Sequence, residues 1–268
     1  MKQSNNVYWE SKEERAKQAR IHIEETNKYP LGTSTIYDMN SCPSRESMIS
    51  DSNASTSRVM DADTVSALYD VYVSGQGKDK ICVLNFASYR NPGGKYLEGS
   101  RAQEESLCHE SNLYQNLASL ENEAYYSYNN AHKNKCFYES RALYTEGVYF
   151  VKGGKEIQAD VLTCAAPNIN AVKQSIAKGW FDVPDVDYRN TCILKDRITF
   201  IRDIMCERGV DTAILGAWGC GVFGQDPKEV ARLFKETFAN SGIATIYAVP
   251  GGFHKENLRA FEAVFSQE

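Results

Sequence analysis

Residues 80–94 read KICVLNFASYRNPGG, and this stretch decides the class of fold. It begins with a short apolar run over residues 80–88, β-branched at its start, which predicts a buried strand. The run leads into NPGG at 91–94, where glycines let the backbone approach a ligand closely. A buried strand that ends in such a turn is typical of α/β proteins, which bind ligands beyond the carboxyl ends of their strands.

Further apolar runs indicate more strands. Three of them are DVLTCAAPN (160–168), TAILGAWG (212–219) and ATIYAVPG (244–251), and weaker strand signals lie in STIYDM (34–39) and VYFVKGG (148–154). The three main runs lead into AAPN, GCGVFGQDP and PGGFH, in that order. Because three of the four main exits, NPGG included, hold a glycine-rich turn, we expect the ligand site at these strand ends.

Helical segments alternate with the strands. They are predicted over residues 10–28, 61–75, 197–210, 226–242 and 255–268. Asp226 is a candidate N-cap, Pro227 follows in the first turn, and Gly242 comes after the end. This alternation predicts an α/β layered fold with a parallel or mixed sheet. We expect one domain over 1–268, with 1–60 as an N-terminal helical and loop extension and 61–268 as the core.

Composition excludes several classes of protein. With 268 residues and 42% hydrophobic content the chain can bury a sizeable core. Its net charge of −5 argues against broad electrostatic binding to nucleic acid but leaves a local basic groove open, and we expect no sequence-specific nucleic-acid binding. The eight cysteines form no CxxC pair, so neither a metal site nor a disulfide framework is expected. We find no signal peptide and no apolar run that could span a membrane, and expect a cytoplasmic protein. The Ser-rich tract 40–57 predicts a long surface loop.

The segment GAWGCGVFGQDP, residues 216–227, has four glycines within nine residues, between a predicted strand and a capped helix. One interpretation is an anion site in which backbone N–H groups converge on a phosphate. The other is a tight turn that needs positive φ angles. The segment is neither a GxGxxG fingerprint nor a Walker A loop. Both interpretations stay open.

The residues QEE at 103–105 open a predicted helix shortly after NPGG. Acidic residues in a first turn often only complement the helix dipole. Neighbours on a helix point about 100° apart, so Glu104 and Glu105 cannot be an equivalent pair. One can line a site while the other orients a substrate or caps the helix. A buried Glu with a raised pKa could then serve as a general acid.

Together these motifs resemble a known family. NFASYRNPGGKYLEGSRAQEESL is similar to the signature of the bacterial-type poly(ADP-ribose) glycohydrolases, a Gly-Gly-Gly loop followed by Gln-Glu-Glu. The similarity extends to LTCAAPN and LGAWGCGVFGQDPKEVARLF, in the family's order. The resemblance implies a macrodomain-like three-layer α/β/α fold with a central mixed sheet. It also implies ADP-ribose bound in a cleft at the strand ends, with no cofactor and no metal.

The resemblance assigns roles to individual residues. Glu105 would be the catalytic acid, and Glu104 would hold the ribose beside the scissile bond. Phe223 would pack against the ribose end of the ligand. The full set of substrate-binding residues that it implies is Asn91, Gly93, Gly94, Gln103, Gly219, Cys220, Gly221, Val222 and Phe223.

One residue departs from the family pattern. Lys95 stands where the family has its third loop glycine. Either its side chain points outward with a negative φ, or it narrows or recharges the loop and alters which linkage fits.

The expected reaction is hydrolysis of the ribose–ribose O-glycosidic bonds of poly(ADP-ribose), with release of ADP-ribose. Removal of single ADP-ribosyl groups from protein or nucleic acid is one alternative. A non-catalytic ADP-ribose-binding module is another, and a nucleotide phosphatase a weaker one. Because a non-catalytic binding module needs no carboxylate at the ribose, the QEE motif favours an enzyme.

Overall fold

The central layer of the protein is a β-sheet. The computed structural model describes residues 11–39, 55–75, 80–252 and 255–266. Its strands are β1 (Thr33–Asp38), β2 (Ser57–Met60), β3 (Ile81–Phe86), β4 (Arg141–Lys152), β5 (Lys155–Cys164), β6 (Thr212–Leu215) and β7 (Ala244–Ala248). In the described residues they form one seven-stranded sheet in the order β1-β4-β5-β3-β6-β7-β2.

The sheet is mixed, as predicted. Five neighbouring strands run parallel to one another, namely β5, β3, β6, β7 and β2. At the other side of β5, β4 pairs antiparallel with β5, and β1 pairs antiparallel with β4. β3 lies in the middle of the sheet and its residues are buried on both faces, which explains its continuous apolar run. The carboxyl ends of five parallel strands therefore meet at one edge.

Helices cover both faces of the sheet. They are α1 (Lys12–Thr26), α2 (Thr64–Ser74), α3 (Gln103–His109), α4 (Leu113–Leu117), α5 (Glu123–Ala131), α6 (Ile169–Ala177), α7 (Val186–Glu207), α8 (Pro227–Phe238) and α9 (Lys255–Phe265). One core cluster contains residues of α7, α8 and α9 together with Leu84 of β3. A second contains residues of the five helices from α1 through α5 together with the neighbouring Val83. Successive strand residues point to opposite faces, so the fold has the three predicted α/β/α layers.

Local capping signals hold where the sequence places them. The Asp226 side chain accepts hydrogen bonds from the amides of Lys228 and Glu229, and Pro227 begins α8. α7, in contrast, begins at Val186, well before the predicted start at 197. Its first turns carry mostly polar residues, so the apolar periodicity appears only where the helix lies over the sheet.

The N-terminal region takes part in the sheet. The strand expected at 34–39 is observed as β1, and the short segment 57–60 forms the opposite edge as β2. Both edge strands therefore lie within the 1–60 segment, whose treatment as an extension of a 61–268 core stays a prediction. The Ser-rich tract 40–57 lies outside the described residues except for its last three. α1 packs on the core through Ala19, and the Arg15 Nε donates to the Gly99 carbonyl at 2.7 Å.

The seven cysteines in the described ranges are free thiols. Within the same residues no group of three or more His, Cys, Asp or Glu side chains is arranged to hold a metal ion. None of the described helices combines the length and the apolar character needed to cross a membrane.

Candidate active site

The glycine-rich segments come together because β3 and β6 are neighbouring parallel strands. A Cβ on Gly216, just after β6, would lie 3.1 Å from the Phe86 ring at the end of β3. A Cβ on Gly219 would lie 2.7 Å from Cβ of Ala166, which follows β5. The exits of β3, β5 and β6 thus lie next to one another, at the sheet edge where the sequence predicts the ligand site.

Gln103 holds the start of α3 against the end of β3. Its Oε1 accepts from the Phe86 amide at 2.8 Å, and its Nε2 donates to the Leu84 carbonyl at 2.9 Å and to Thr64 Oγ1 at 3.2 Å. The amide group is therefore occupied by protein partners and places the following two glutamates over the strand end. Contact of Gln103 with substrate stays a prediction.

Glu104 is almost fully buried at this strand end. Its carboxyl group accepts from the Ser88 amide at 2.7 Å and from Asn85 Nδ2 at 3.2 Å. Burial raises the pKa of Glu104 to about 8, and the nearby charge of Glu105 adds to this rise, while hydrogen bonding from Ser88, Asn85 and the Gly93 backbone opposes it. This environment favours the neutral form of the Glu104 carboxyl group over its charged form.

Glu105 is buried beside it but has different partners. Its Oε1 accepts from the Lys95 amide at 2.8 Å, and its Oε2 accepts from the Ala102 amide at 2.9 Å. The second bond lies at the N-terminus of α3, where the first amides lack partners within the helix. The two glutamates thus occupy unequal environments, as their adjacency on a helix predicts.

The NPGG turn closes over both carboxyl groups. Gly93 and Gly94 have φ of 64° and 60°, in the left-handed region that favours glycine. A Cβ on Gly93 would lie 2.8 Å from the Tyr114 ring. A side chain on Gly94 would collide with Glu104 and Glu105 themselves, so this turn requires glycine at both positions.

Lys95 follows the first of the two expected outcomes. Its φ is −115°, and its side chain is 61% exposed with Nζ 3.7 Å from the Glu98 carboxylate. Because the side chain points outward while the amide reaches Glu105, the residue keeps the hydrogen bond that a glycine would make.

Asn91 lies exposed at the mouth of the turn. Its amide donates to Ser88 Oγ at 3.2 Å, and its carbonyl accepts from the Gly94 amide at 3.0 Å. Its side-chain amide has no hydrogen-bond partner among the described residues. It is therefore available to a ligand hydroxyl, and contact with the ribose stays a prediction.

The segment 219–224 contains two glycines that its turn requires and one that it does not. Gly219 and Gly224 have φ of 77° and 76°, and a Cβ on Gly224 would lie 2.3 Å from the Asn170 side chain. These two glycines are required by the turn. Gly221, however, is not in the left-handed region, and a Cβ there would meet nothing within 4 Å. The turn alone gives no reason for a glycine at 221.

Backbone donors are exposed in the same segment. The amides of Gly221, Val222 and Phe223 have no acceptor among the residues that the structure describes. Val222 is 82% exposed, whereas Phe223 is half-buried. Burial raises the pKa of the Cys220 thiol to about 12, so it is not a reactive thiolate. Consecutive free amides are the donor set that an anion requires.

Several residues at the site are absent from the sequence predictions. Asn85, inside β3, bonds Glu104 and Thr163 Oγ1 while its own Oδ1 is buried without a partner in the described part of the chain. A lone polar residue in an apolar strand is the signal that could have identified it. Asp61, just after β2, was not predicted either; its carboxylate accepts from the Gly251 amide at 2.6 Å and links the exits of β2 and β7.

Comparison with known proteins gives consistent results. The family model described as "Microbial-type PARG, catalytic domain" matches residues 4–153, where PARG denotes poly(ADP-ribose) glycohydrolase. The structure of the glycohydrolase from Thermomonospora curvata is 24% identical, with a TM-score of 0.80, and the match covers 94% of this chain and 100% of that one. This likeness supports the macrodomain-like fold.

A structure with a ligand is also similar. The glycohydrolase from Deinococcus radiodurans in complex with ADP-ribose is 27% identical, with a TM-score of 0.76, over 91% of this chain and 96% of that one. A comparison with curated proteins found no significant match.

Proposed function

The chain belongs to the family of microbial-type PARG catalytic domains, and on that premise we propose that it hydrolyses the ribose–ribose O-glycosidic bonds of poly(ADP-ribose) and releases ADP-ribose. One observation carries this proposal. Two buried carboxyl groups, those of Glu104 and Glu105, close on the bare backbone of Gly94 at the end of the central strand. A site that only bound ADP-ribose would gain little from burying two acids, since burial is unfavourable to their charged forms.

The carboxyl pair supplies the proton chemistry. Glu105 delivers a proton to the departing ribose oxygen while positive charge develops on the terminal ribose, and its carboxylate then activates a water. Glu104 also holds the ribose hydroxyls. These roles agree with the resemblance, and the geometry of the pair supports them.

The glycine segments supply binding. The free amides of Gly221, Val222 and Phe223 donate hydrogen bonds to the diphosphate oxygens, and Phe223 packs against the ribose end of the ligand. Asn91 and the turn at Gly93 and Gly94 bind the terminal ribose from the other side. Fixed contacts at the diphosphate hold the ribose against the carboxyl pair and lower the entropic part of the barrier.

The physiological setting is part of the same proposal. The substrate is poly(ADP-ribose) or another ADP-ribosylated macromolecule. Sequence-specific nucleic-acid binding is not part of the proposal, since the net charge of the chain is −5. Free thiols at the seven described cysteines suit the reducing cytoplasm.

Turnover by purified protein tests the proposal. Release of ADP-ribose from poly(ADP-ribose) would be followed by chromatography for wild type, Glu105→Gln and Glu98→Gln, with ADP-ribose affinity measured by calorimetry. Glu98 is an exposed carboxylate beside the same turn and serves as the matched control. We expect the Glu105 variant to lose about 1,000-fold or more in rate while it still binds ADP-ribose.

Each other result has a defined meaning. Wild type that binds ADP-ribose but releases none would reject the polymer as substrate, and mono-ADP-ribosylated protein and nucleic acid would be assayed next. A Glu105→Gln variant as active as wild type would reject Glu105 as the acid.

A further inference from the structure

The segment between α5 and β4 has a strained backbone. Asn134, Lys135, Cys136 and Tyr138 have φ of 43°, 51°, 69° and 62°. Side chains make the left-handed region costly, and these are four of the five non-glycine residues with positive φ in the described ranges. Such strain persists only where the surrounding structure enforces it, and it occurs preferentially at functional sites.

Arg197 enforces this conformation from α7. It is 1% exposed, and its guanidinium donates to the carbonyls of Phe137 at 3.1 Å, Tyr138 at 3.0 Å and Ala165 at 3.0 Å. Its Nε donates to Ser140 Oγ at 3.3 Å, so none of its hydrogen bonds within the described residues goes to a carboxylate. A charged group buried for three backbone carbonyls is expensive to desolvate, and here it ties the strained segment to the exit of β5.

The product of this arrangement is the position of the Tyr138 ring. The ring stacks on Tyr89 with centroids 4.2 Å apart and planes 10° apart, and lies 6.1 Å from the ring of Phe223. Tyr89 directly follows Ser88, whose amide bonds Glu104. Tyr138 therefore lies between the segment that holds a carboxyl group and the segment that carries the free amides.

We propose that Tyr138 and Arg197 are positioning residues for the glycohydrolase reaction. Arg197 holds the left-handed segment, the segment holds Tyr138 against Tyr89 and Phe223, and the distance between the carboxyl pair and the amide segment is thereby fixed. This inference rests on the proposed function, because it concerns how diphosphate and ribose are held relative to Glu105.

If Tyr138 had only a structural role, truncating its ring would lower the stability of the protein and change nothing else. The test therefore needs a measurement, such as ligand affinity or kcat/KM, that a loss of stability by itself does not change. Arg197→Lys is the direct variant, but loss of three carbonyl partners can prevent folding. Tyr138→Leu is therefore the main variant, and Tyr138→Phe keeps the stack. Phe238→Leu is the stability control, since it makes a similar truncation of a buried ring at the far end of α8. For each full-length variant we would measure melting temperature, ADP-ribose Kd, and kcat and KM on poly(ADP-ribose).

The expected result separates position from stability. Tyr138→Leu loses about tenfold to 100-fold in kcat/KM and weakens ADP-ribose binding, because small displacements of a reacting centre are costly. Phe238→Leu lowers the melting temperature by a similar amount but leaves kcat and Kd unchanged. Tyr138→Phe keeps kcat/KM within about threefold of wild type. Tyr138→Leu with kcat/KM and Kd within twofold of wild type would overturn the inference.

Failure of the proposed function would be distinguishable from failure of this inference. If wild type binds ADP-ribose but releases none from the polymer, the glycohydrolase proposal fails, and the Kd comparison between Tyr138→Leu and Phe238→Leu decides whether Tyr138 positions the amide segment. If wild type neither binds nor cleaves, both are rejected.

Discussion

A Cβ on Gly94 would stand 2.5 Å from Oε1 of Glu105, closer than real Cβ contacts occur. The same atom would lie 2.9 Å from Oε2 of Glu104. Bare backbone at this one position lets two consecutive helical glutamates close on a single point. The glycine turn ten residues before the Glu-Glu pair is therefore part of the carboxyl site itself.

Gly94→Ala should remove activity through this collision. We expect a loss of about 100-fold or more in kcat/KM, because one or both carboxyl groups must move. Gly153→Ala is a matched control with nearly the same backbone strain, at φ of 58° against 60°, but with nothing within 4 Å of its Cβ. It should lose about 1 kcal/mol of stability and no activity. Equal kcat/KM losses in both variants would show that strain, not the collision, explains the glycine.

Gly221→Ala should separate the anion site from the simple turn. The structure leaves room for a Cβ at 221 and does not hold it in the left-handed region. We expect an unchanged melting temperature together with ADP-ribose binding weakened about tenfold, since a methyl group would obstruct the free amides. Calorimetry and a thermal scan measure both quantities. Unchanged affinity would leave only the turn interpretation.

Lys95→Gly would restore the family's third glycine. Because Lys95 has a negative φ and an exposed side chain, we expect kcat/KM within about threefold of wild type and a stability loss of about 0.5–1 kcal/mol. Lys95→Ala isolates the exposed pair with Glu98, whose contribution should be small. A tenfold change in kcat/KM in either variant would mean that the ammonium group reaches the substrate.

Glu104 should make stability depend on pH in a defined direction. Its pKa is about 8 when folded and near 4.5 when unfolded, so the folded state binds more protons between these values. Stability from this group is present below about pH 4.5 and is lost as pH rises through 8. The melting temperature of wild type should fall across this range by several degrees relative to Glu104→Gln, which keeps a neutral side chain. Parallel pH curves for the two proteins would show that Glu104 is charged at neutral pH.

The sequence predicts most of the layout of the site. Its apolar runs identify β3, β5, β6 and β7, and the alternation with helices predicts an α/β sheet with ligand contacts at the strand ends. These signals succeed because they are local. The edge strand β2 and the first half of α7 were missed for the same reason, since β2 is only four residues long and the start of α7 is mostly polar.

By itself the sequence determined that glycine turns and the Gln-Glu-Glu motif lie at strand exits. It could do so because the hydrophobic pattern of a strand and the residues that form a turn are both local in the chain. Tertiary structure alone decided that Glu104 and Glu105 meet at Gly94, and that the raised pKa falls on Glu104. It also decided that Lys95 points outward and that Arg197 holds Tyr138 between the two segments. Desolvation and collision depend on groups brought together from distant parts of the chain, so no local pattern records them.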